Sequence, residues 1–390
     1  MNFVLSLSLI RAMKFSDVIG QQAAKEGLLK MWHRNVFPHA LMLAGAEGLG
    51  GLPLALALTQ YIFCADKTPT DSCGVCANCR KVSKMEHADV HFAFPTIPPK
   101  AGTKGVSRLY MKEFREFVHK HPYGTTFDWL QAINAENKQG NITAEECREI
   151  IEILNLRAYE GGKKVQLIWR PEYLRKEGNI LLKLIEEPPQ DTIIIFVAEE
   201  LEDILSTIKS RTQTVRLAPI PAHFIAKDLI QKFGTGETRA NQVAQISMGS
   251  YTEALKQVHN HDNDLFPGVK DLFNALFTGN GIMIMKFAEE WSKAGREQQK
   301  NFLHYIIQLI EQAIRARYTP EAPLSLPLME AQFVKKLAST GVTFESFTKM
   351  NEILTDTMRL IERNAHSKTQ LHAMAIKLLY TVKNRPVPLY

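Results

Sequence analysis

The sequence predicts a parallel α/β domain followed by an all-helical region, and three observations support this prediction. Apolar strand-like segments alternate with helical segments up to Leu217, which is typical of a parallel sheet covered on both faces. A strand, a glycine-rich loop and a helix follow one another in residues 41–58. Beyond the proline-containing segment 218–221, strand patterns almost disappear and helical periodicity continues toward the C-terminus.

The glycine-rich loop in residues 41–58 (LMLAGAEGLGGLPLALAL) has the shape of a phosphate loop. Such a loop reads G-x-x-x-x-G-K-[ST]: its N–H groups cradle phosphates, its lysine reaches the β and γ oxygens, and its hydroxyl binds Mg²⁺. The glycines of this loop are Gly45, Gly48, Gly50 and Gly51. The last of them stands at the lysine position and Leu52 at the hydroxyl position, so we predict a degenerate phosphate loop.

Two later strands predict the same loss of nucleotide chemistry. In an ATPase of this layout, the strand predicted at 164–169 would end in Asp-Glu to hold Mg²⁺ and polarise water, but here Trp169-Arg170 stands at that point. The strand predicted at 192–197 is followed by Glu199 and Glu200, where an ATPase places a polar sensor. A glutamate facing a triphosphate would repel it; the alternative is that both glutamates face solvent.

Four of the five cysteines are clustered with the spacing C-x8-C-x2-C-x2-C; they are Cys64, Cys73, Cys76 and Cys79. Four thiolates form a closed tetrahedral Zn²⁺ site, which has a structural role because no position is left for water. Since no secretion signal precedes them, we expect a metal in a reducing cytoplasm and no disulfides. The alternative is that three of these cysteines lie close together by chance without binding a metal, and that Cys64 is simply buried. The fifth, Cys147, is predicted to pack inside a helix.

The composition excludes few functions. The net charge of +6 is compatible with work near nucleic acid but does not establish it. No segment reaches the roughly 20 apolar residues of a membrane span. The apolar segment 1–10 lacks a preceding basic charge, so it does not resemble a signal peptide. We predict that the first domain starts near Met13, and that the preceding residues are an over-called start or a short strand.

Residues 94–140 form a less regular insert, in which prolines and glycines interrupt the periodicity and one helix is predicted at 107–119. Its aromatic residues alternate with lysines and arginines; they are Phe114, Phe117, Tyr123, Phe127 and Trp129. We predict a solvated helix with a small core of its own. Contact with nucleic acid or with a protein partner is the alternative.

Several motifs together resemble the clamp-loader ATPase-like proteins of bacterial DNA polymerase III. The resemblance covers roughly residues 13–255 with motifs, and helical character beyond them. The matching residues are FSDVIGQ at 15–21, PHALMLAG at 38–45, the four clustered cysteines, NILLKLIEEPP at 179–189, and Ser210-Arg211. The zinc module after the phosphate-loop helix and the EEPP run are specific to bacterial clamp-loader subunits.

The resemblance implies an α/β P-loop NTPase-like (AAA+) domain over residues 1–218, with a zinc module at 64–79 and the insert at 94–140. It implies a small helical lid over 219–260 and an all-α C-terminal collar over 261–390. Three short helices are predicted between 224 and 258, and long helical segments at 265–287, 291–317, 327–340 and 344–382. Periodicity alone fits both an ordinary helical bundle and an oligomerisation collar.

The resemblance also implies a subunit that does not hydrolyse ATP itself and belongs to the DNA polymerase III holoenzyme. Members that hydrolyse ATP, of the gamma/tau type, keep Lys-Thr in the loop, Asp-Glu after the strand, and a sensor arginine; this chain has Gly51-Leu52, Trp169-Arg170 and Thr252-Glu253. The implied partners are gamma/tau and delta subunits in a cytoplasmic hetero-pentamer, with the sliding clamp and primed DNA reached through that complex. The alternatives are an active gamma/tau-type ATPase and a zinc-containing nucleic-acid-binding module.

Arg211 is the residue to which the resemblance assigns chemistry. The family motif Ser-Arg-Cys appears here as Ser210-Arg211-Thr212, so the arginine is present and the cysteine is not. The resemblance implies that Arg211 reaches into the ATP site of a neighbouring subunit as an arginine finger. The alternative is that Arg211 caps the C-terminus of a helix through the macrodipole.

Overall fold

The computed structural model describes residues 13–100, 102–135, 138–160, 162–259, 265–319, 326–362 and 365–385. The chain divides into two compact units, one ending at Gln257 and the other beginning at Val258. Residues 1–12, for which we predicted an over-called start or a short strand, lie outside the described residues.

A five-stranded parallel sheet forms the centre of the first unit, in the spatial order β2-β3-β4-β1-β5. The strands are β1 (Ala40–Ala44), β2 (Val90–Ala93), β3 (Lys164–Trp169), β4 (Thr192–Ala198) and β5 (Gln213–Arg216). Every residue of β1, β3 and β4 is buried, as expected for central strands covered on both faces. The predicted parallel α/β sheet is therefore confirmed, and β2 is an additional edge strand that the sequence did not predict.

Helices cover the sheet and continue to the end of the unit. They are α1 (Gln22–His33), α2 (Gly51–Phe63), α3 (Ala77–Ser83), α4 (Met111–Lys120), α5 (Thr126–Ala132), α6 (Ala144–Asn155), α7 (Leu182–Glu186), α8 (Ser206–Lys209), α9 (Ala222–Phe233), α10 (Glu237–Ile246) and α11 (Tyr251–His259). Short 3-10 segments lie at Phe15–Asp17, Ser107–Tyr110, Pro171–Leu181 and Leu201–Asp203. Helices α9 to α11 agree with the three predicted short helices, and the lid as a separate domain stays a prediction.

The two faces of the sheet bury two different hydrophobic clusters. Along β1, Leu41 and Leu43 enter the cluster that contains α2, whereas Met42 enters the one that contains α6, because successive side chains of a strand point to opposite faces. Helix α2 is buried from Leu52 to Ile62. The loop before α2 is thereby fixed to the centre of the domain.

The insert at 94–140 shares the main core, so the prediction of a small core of its own is wrong. Phe114 and Trp129 are fully buried, and both belong to the cluster that covers the sheet. The ring of Phe114 stacks on Phe94 at 3.8 Å between centroids and lies 5.7 Å from the ring of Trp169 in β3. These rings are therefore not available to stack on nucleic-acid bases.

Glu146 is a buried carboxyl in the first turn of α6, where it accepts a hydrogen bond of 2.5 Å from the backbone N–H of Ser107. Burial raises the pKa of Glu146 to about 7, against the lowering effect of the Ser107 N–H. The pKa of this carboxyl before folding is 4.5. Its contribution to stability is therefore fully present below pH 4.5 and is lost as the pH rises through about 7.

We expect Glu146→Gln to remove most of the pH dependence of unfolding between pH 4.5 and 7.5, about 3 kcal/mol in the free energy of unfolding for this pKa shift. Denaturant unfolding followed across that range measures it. The exposed Glu152 of the same helix supplies the control, since Glu152→Gln should keep the wild-type slope. A Glu146→Gln variant with the wild-type slope would contradict the assignment.

Every regular element described in the second unit is a helix. The helices are α12 (Phe266–Thr278), α13 (Gly281–Ser292), α14 (Arg296–Tyr318), α15 (Leu328–Ala338), α16 (Phe344–Glu362) and α17 (Ser367–Val382). Helix α14 packs on α15 and α16, and α17 packs on α13 and α16. The predicted segment 265–287 is divided at Gly279, which has a φ of +71°, and Asn280 caps α13 by accepting from the N–H of Met283.

The helical nature of the C-terminal region is thus confirmed, while its role as a collar stays a prediction. Among the described residues, no helix combines the length and apolar character that crossing a membrane requires.

Candidate functional site

The glycine-rich loop lies between β1 and α2, at the carboxyl end of the parallel strands. Gly48 and Gly50 have φ angles of +82° and +88°, a region that glycine adopts without strain. The N–H of Gly45 donates to the carbonyl of Ala198 at the end of β4, at 3.1 Å. The backbone therefore has the position of a phosphate loop at the N-terminus of a helix.

The start of α11 lies directly on this loop. The hydroxyl of Ser250 donates to the carbonyl of Glu47 at 3.0 Å, and the N–H of Tyr251 donates to the carbonyl of Gly48, also at 3.0 Å. A Cβ atom at Gly48 would stand 2.1 Å from the Ser250 hydroxyl oxygen. The loop carbonyls are thus bound by Ser250 and Tyr251, which directly precede Thr252-Glu253, the pair that stands where the resemblance implies a sensor arginine.

Tyr123, from the insert, closes the loop from another side. Its ring would meet a Cβ atom at Gly50 at 2.9 Å, and its hydroxyl accepts from the N–H of Ile19 at 2.8 Å. The hydroxyl of Thr252 donates to the Tyr123 carbonyl. Burial raises the pKa of Tyr123 above its usual range, so the phenol stays protonated.

The space left at the loop is a cavity of about 30 Å³. Its lining is formed by Gly45, Ala46, Gly48, Gly50, Gly51, Leu52, Pro53, Pro122, Tyr123, Gly124, Trp169, Val197, Ala198 and Glu199. A cavity of this size holds a water molecule or two. At the lysine position, a Cβ atom on Gly51 would stand 2.9 Å from Cγ1 of Val197, so any side chain there requires the side chain of Val197 to move.

An ion pair joins the carboxyl ends of β3 and β4 beside the loop. Arg170, directly after β3, pairs with Glu199, directly after β4, and its Nε lies 3.7 Å from the carboxylate of Glu172. Glu172 accepts from the N–H groups of Glu199 and Glu200 at 2.6 and 2.8 Å. Burial raises the pKa of Glu172, while Arg170 acts in the opposite direction.

The two glutamates after β4 therefore differ in environment. Glu199 lines the cavity and is bound to Arg170, whereas Glu200 is exposed. The alternative in which both glutamates face solvent is wrong for Glu199. The carboxylate at the cavity would repel a phosphate, although its charge is offset by the arginine.

The four clustered cysteines converge on one point. Their Sγ atoms all lie within 4.8 Å of one another, and those of Cys73 and Cys79 are 3.9 Å apart. Sulfur atoms at the Zn–S distance in a regular tetrahedron are about 3.8 Å apart. Cys64 follows α2, while Cys76 caps the start of α3. The donor set fits a metal ion such as Zn²⁺, which would join these two helices.

The surroundings of the cysteine cluster favour the thiolate at Cys76 and the protonated thiol at Cys64 and Cys79. Burial raises the pKa of Cys76, but N–H donors on Cys79 and Ala65 act against it and lower the value to about 6. Burial raises the pKa of Cys64 and of Cys79, and a bound Zn²⁺ would deprotonate them. Cys147 lies apart, buried among the residues around α6, and its predicted packing role is confirmed.

Asp71, between the first two clustered cysteines, links this module to the start of the domain. Its carboxylate accepts from the N–H groups of Phe15 and Ser16 at 2.9 and 3.0 Å, and from that of Ser72 at 2.8 Å. Gln21 continues the link, since its amide donates to the carbonyl of Leu49 at 3.0 Å. No local pattern predicts this connection, because it depends on contacts between distant segments.

Arg211 lies between α8 and β5 and is not among the residues that line the cavity. Its side chain is 35% exposed and forms an ion pair with Glu186. One terminal nitrogen donates to the carbonyl of Thr207 at 3.0 Å, which is the helix-end contact named above as the alternative to the finger. Because a third of the side chain is exposed, this contact leaves both roles open.

Comparisons with known proteins agree with the motifs. A family model described as DNA polymerase III, delta subunit, matches residues 20–221. DNA polymerase III subunit delta' of Escherichia coli (strain K12) is 26% identical over 218 residues, covering 56% of this chain and 53% of the relative. DNA polymerase III subunit tau of the same organism is 22% identical over 335 residues, covering 80% of this chain and 45% of the relative. The chain thus spans about half the length of these curated relatives.

Among solved structures, a DNA polymerase III gamma subunit-related protein from Thermotoga maritima is similar with a TM-score of 0.38 and 14% identity, covering 93% of this chain and 99% of that chain. A score this low carries no weight beside the sequence evidence. The family model, in contrast, matches more than half of the chain and includes the loop, the cysteine cluster, Arg170 and Arg211. The chain therefore belongs to the DNA polymerase III delta subunit family of clamp-loader proteins.

Proposed function

We propose that this chain is a delta-prime-type subunit of the clamp loader that does not hydrolyse ATP. In this role it joins gamma/tau-type and delta-type subunits in a ring of five and helps to load the sliding clamp onto primed DNA. The observation that carries the proposal is the state of the phosphate loop, where the space is about 30 Å³. That volume holds a water molecule or two, whereas a triphosphate needs many times more.

Three features support a loop without nucleotide chemistry. The lysine and hydroxyl positions hold Gly51 and Leu52, so charge and metal ligand are both missing. Arg170 and Glu199 neutralise each other where Mg²⁺ would bind. Tyr123 and the start of α11 fill the space above the loop, so the loop serves to hold the domain together.

The zinc module has a structural role in this proposal. Four thiolates complete a tetrahedral shell and leave no coordination position for a water molecule or substrate. A bound Zn²⁺ would fix the end of α2, whose start carries the loop. Through Asp71 it would also fix the N-terminal segment that reaches Tyr123.

Arg211 is the residue that we propose to act on ATP, in the site of a neighbouring subunit. As water attacks the γ-phosphorus there and the bond to the β,γ-bridging oxygen breaks, the guanidinium would stabilise charge on the transferred phosphoryl group. Its planar fork matches phosphate oxygens better than a lysine ammonium does. The partial exposure of Arg211 supports this role.

An active gamma/tau-type ATPase is the second candidate, because relatives of both kinds match the chain, at 26% identity for delta' and 22% for tau. The substitutions at Gly51 and Leu52 favour the first candidate. A separate zinc-containing nucleic-acid-binding module has less support, since Phe114 and Trp129 of the insert are buried.

Equilibrium binding of ATP with Mg²⁺ to the isolated chain tests the proposal. We expect no saturable binding up to millimolar ATP, which is at least a thousandfold weaker than a micromolar site. The double variant Gly51→Lys/Leu52→Thr restores the motif but should also fail to bind, because Tyr123 and the ion pair of Arg170 and Glu199 remain. Micromolar affinity of the wild-type chain would contradict the proposal and favour the gamma/tau type; a binding-competent gamma/tau protein is the positive control.

A further inference from the structure

Arg211 is held by its own chain at all three guanidinium nitrogens. Its Nε and one terminal nitrogen donate to the same carboxylate oxygen of Glu186. The other terminal nitrogen donates to the Thr207 carbonyl at 3.0 Å and to the Ser210 hydroxyl at 3.3 Å. The two edges of the fork that could take a phosphate are therefore both engaged within the chain.

This arrangement places the arginine in a retracted position. An arginine binds phosphate through a pair of nitrogens, and the pair formed by Nε and its neighbour already binds Glu186. A carboxylate at that edge would also repel an approaching phosphate. For Arg211 to bind a nucleotide in another subunit, the contact with Glu186 has to be released.

The contact with Glu186 is suited to release. The side chains of Arg211 and Glu186 are 35% and 46% exposed, and exposed ion pairs contribute little to stability. Glu186 is the last residue of α7 and is followed by Glu187 and two prolines, which end the helix there. The backbone of Glu186 is thus fixed at the end of the helix, while the arginine has the longer side chain that can turn away.

We propose that Glu186 is a positioning residue that keeps Arg211 retracted until a neighbouring subunit presents the γ-phosphate of ATP. The more highly charged phosphate then replaces the carboxylate as the partner of the arginine. This inference rests on the proposed role of Arg211, and it adds a condition: the finger is released only beside an occupied nucleotide site.

The first test uses the isolated chain and needs no partner. Phenylglyoxal modifies accessible arginines, and peptide mass spectrometry gives the rate at Arg211. We expect Glu186→Gln and Glu186→Ala to raise that rate two- to fivefold, the range that corresponds to an exposed ion pair. The matched control is Glu187→Gln, which removes the same charge from the adjacent position and should leave the rate at the wild-type value. Equal rates in wild type and both Glu186 variants would overturn the inference.

The second test uses the complex reconstituted with gamma/tau and delta homologues. Glu186→Gln should lower the ATP concentration for half-maximal turnover two- to fivefold and leave kcat unchanged, a split that a purely structural role would not produce. If Arg211→Ala lowers turnover while Glu186→Gln changes neither parameter, the retracted state has no role and the inference is wrong. If Arg211→Ala itself leaves turnover unchanged, the finger proposal fails, and the modification rates still decide whether Glu186 holds the arginine.

Discussion

The Cys76→Ser variant is expected to lose its bound Zn²⁺ and to melt roughly 6–12 °C below the wild-type chain. Structural zinc contributes folding free energy directly, up to about 10–16 kcal/mol in small zinc peptides. Here the module is embedded in a larger domain with its own core, so we expect the free energy of unfolding to fall by only about 3 kcal/mol. Each kcal/mol shifts the melting temperature of a domain of this size by roughly 2–4 °C.

The physical reason is that a bound metal would close a chain segment with few other constraints. Between Cys64 and Cys73 no helix or strand is formed, and the buried part of this segment is small. Asp71 lies inside it and binds the N–H groups of Phe15 and Ser16. Loss of the metal should therefore loosen the N-terminal segment as well as the module.

Zinc content per chain, thermal unfolding and amide hydrogen exchange measure these effects. We expect faster exchange in residues 13–21 and 64–83 of Cys76→Ser. Cys147→Ala is the matched control, because it removes the cysteine that lies outside the cluster and should keep one Zn²⁺ per chain. Since Cys147 is buried, truncating it is expected to lower the stability somewhat by itself. If the wild-type chain is purified without zinc, the assignment is wrong. It is also wrong if Cys76→Ser has the same melting temperature as the wild type.

The sequence was sufficient for the features that depend on local pattern. Strand β1 is apolar throughout, β4 is apolar after its first residue and β3 is mostly apolar; the predicted bounds of all three agree with the structure within a residue or two. The cysteine cluster followed from ligand spacing, and the strand, glycine-rich loop and helix followed from the pattern of residues 41–58. The loss of nucleotide chemistry at Gly51 and Leu52 stays a prediction. In each case, the feature depends on residues that are adjacent or nearly adjacent in the chain.

The features that depend on distant contacts were not predictable. Strand β2 has only four residues and includes a histidine, so it gives no clear apolar run. The ring of Tyr123 covers Gly50, yet nothing local distinguishes it from the other aromatics of the insert. The pairing of Arg170 with Glu199, and of Arg211 with Glu186, joins residues that only the fold brings together.

The second large effect is expected from Arg211→Ala in the assembled ring. An arginine supplied in trans is worth about 10³–10⁵ in the rate of phosphoryl transfer, because it stabilises charge that develops as the γ-phosphoryl group leaves. The fold and the assembly should be unaffected, since Arg211 is partly exposed and its contacts are confined to the surface around α7 and α8.

Only the nucleotide site that faces this chain should respond. The steady-state turnover of the ring includes other sites, so it dilutes the effect. A single-turnover measurement, with the ring formed first and ATP limiting, isolates the slow phase that belongs to the affected site. Arg216 in β5 is exposed, and Arg216→Ala provides a control for the loss of a surface charge nearby.

The most direct test of the account is the rate of γ-phosphate release in that single-turnover experiment, with primed DNA and clamp present. We predict that the Arg211→Ala ring assembles with the wild-type stoichiometry and contains one site whose hydrolysis is slower by about 10³ or more, while the Arg216→Ala ring hydrolyses ATP like the wild type. An Arg211→Ala ring with wild-type rates at every site would contradict the claim that this chain acts through a neighbour's ATP.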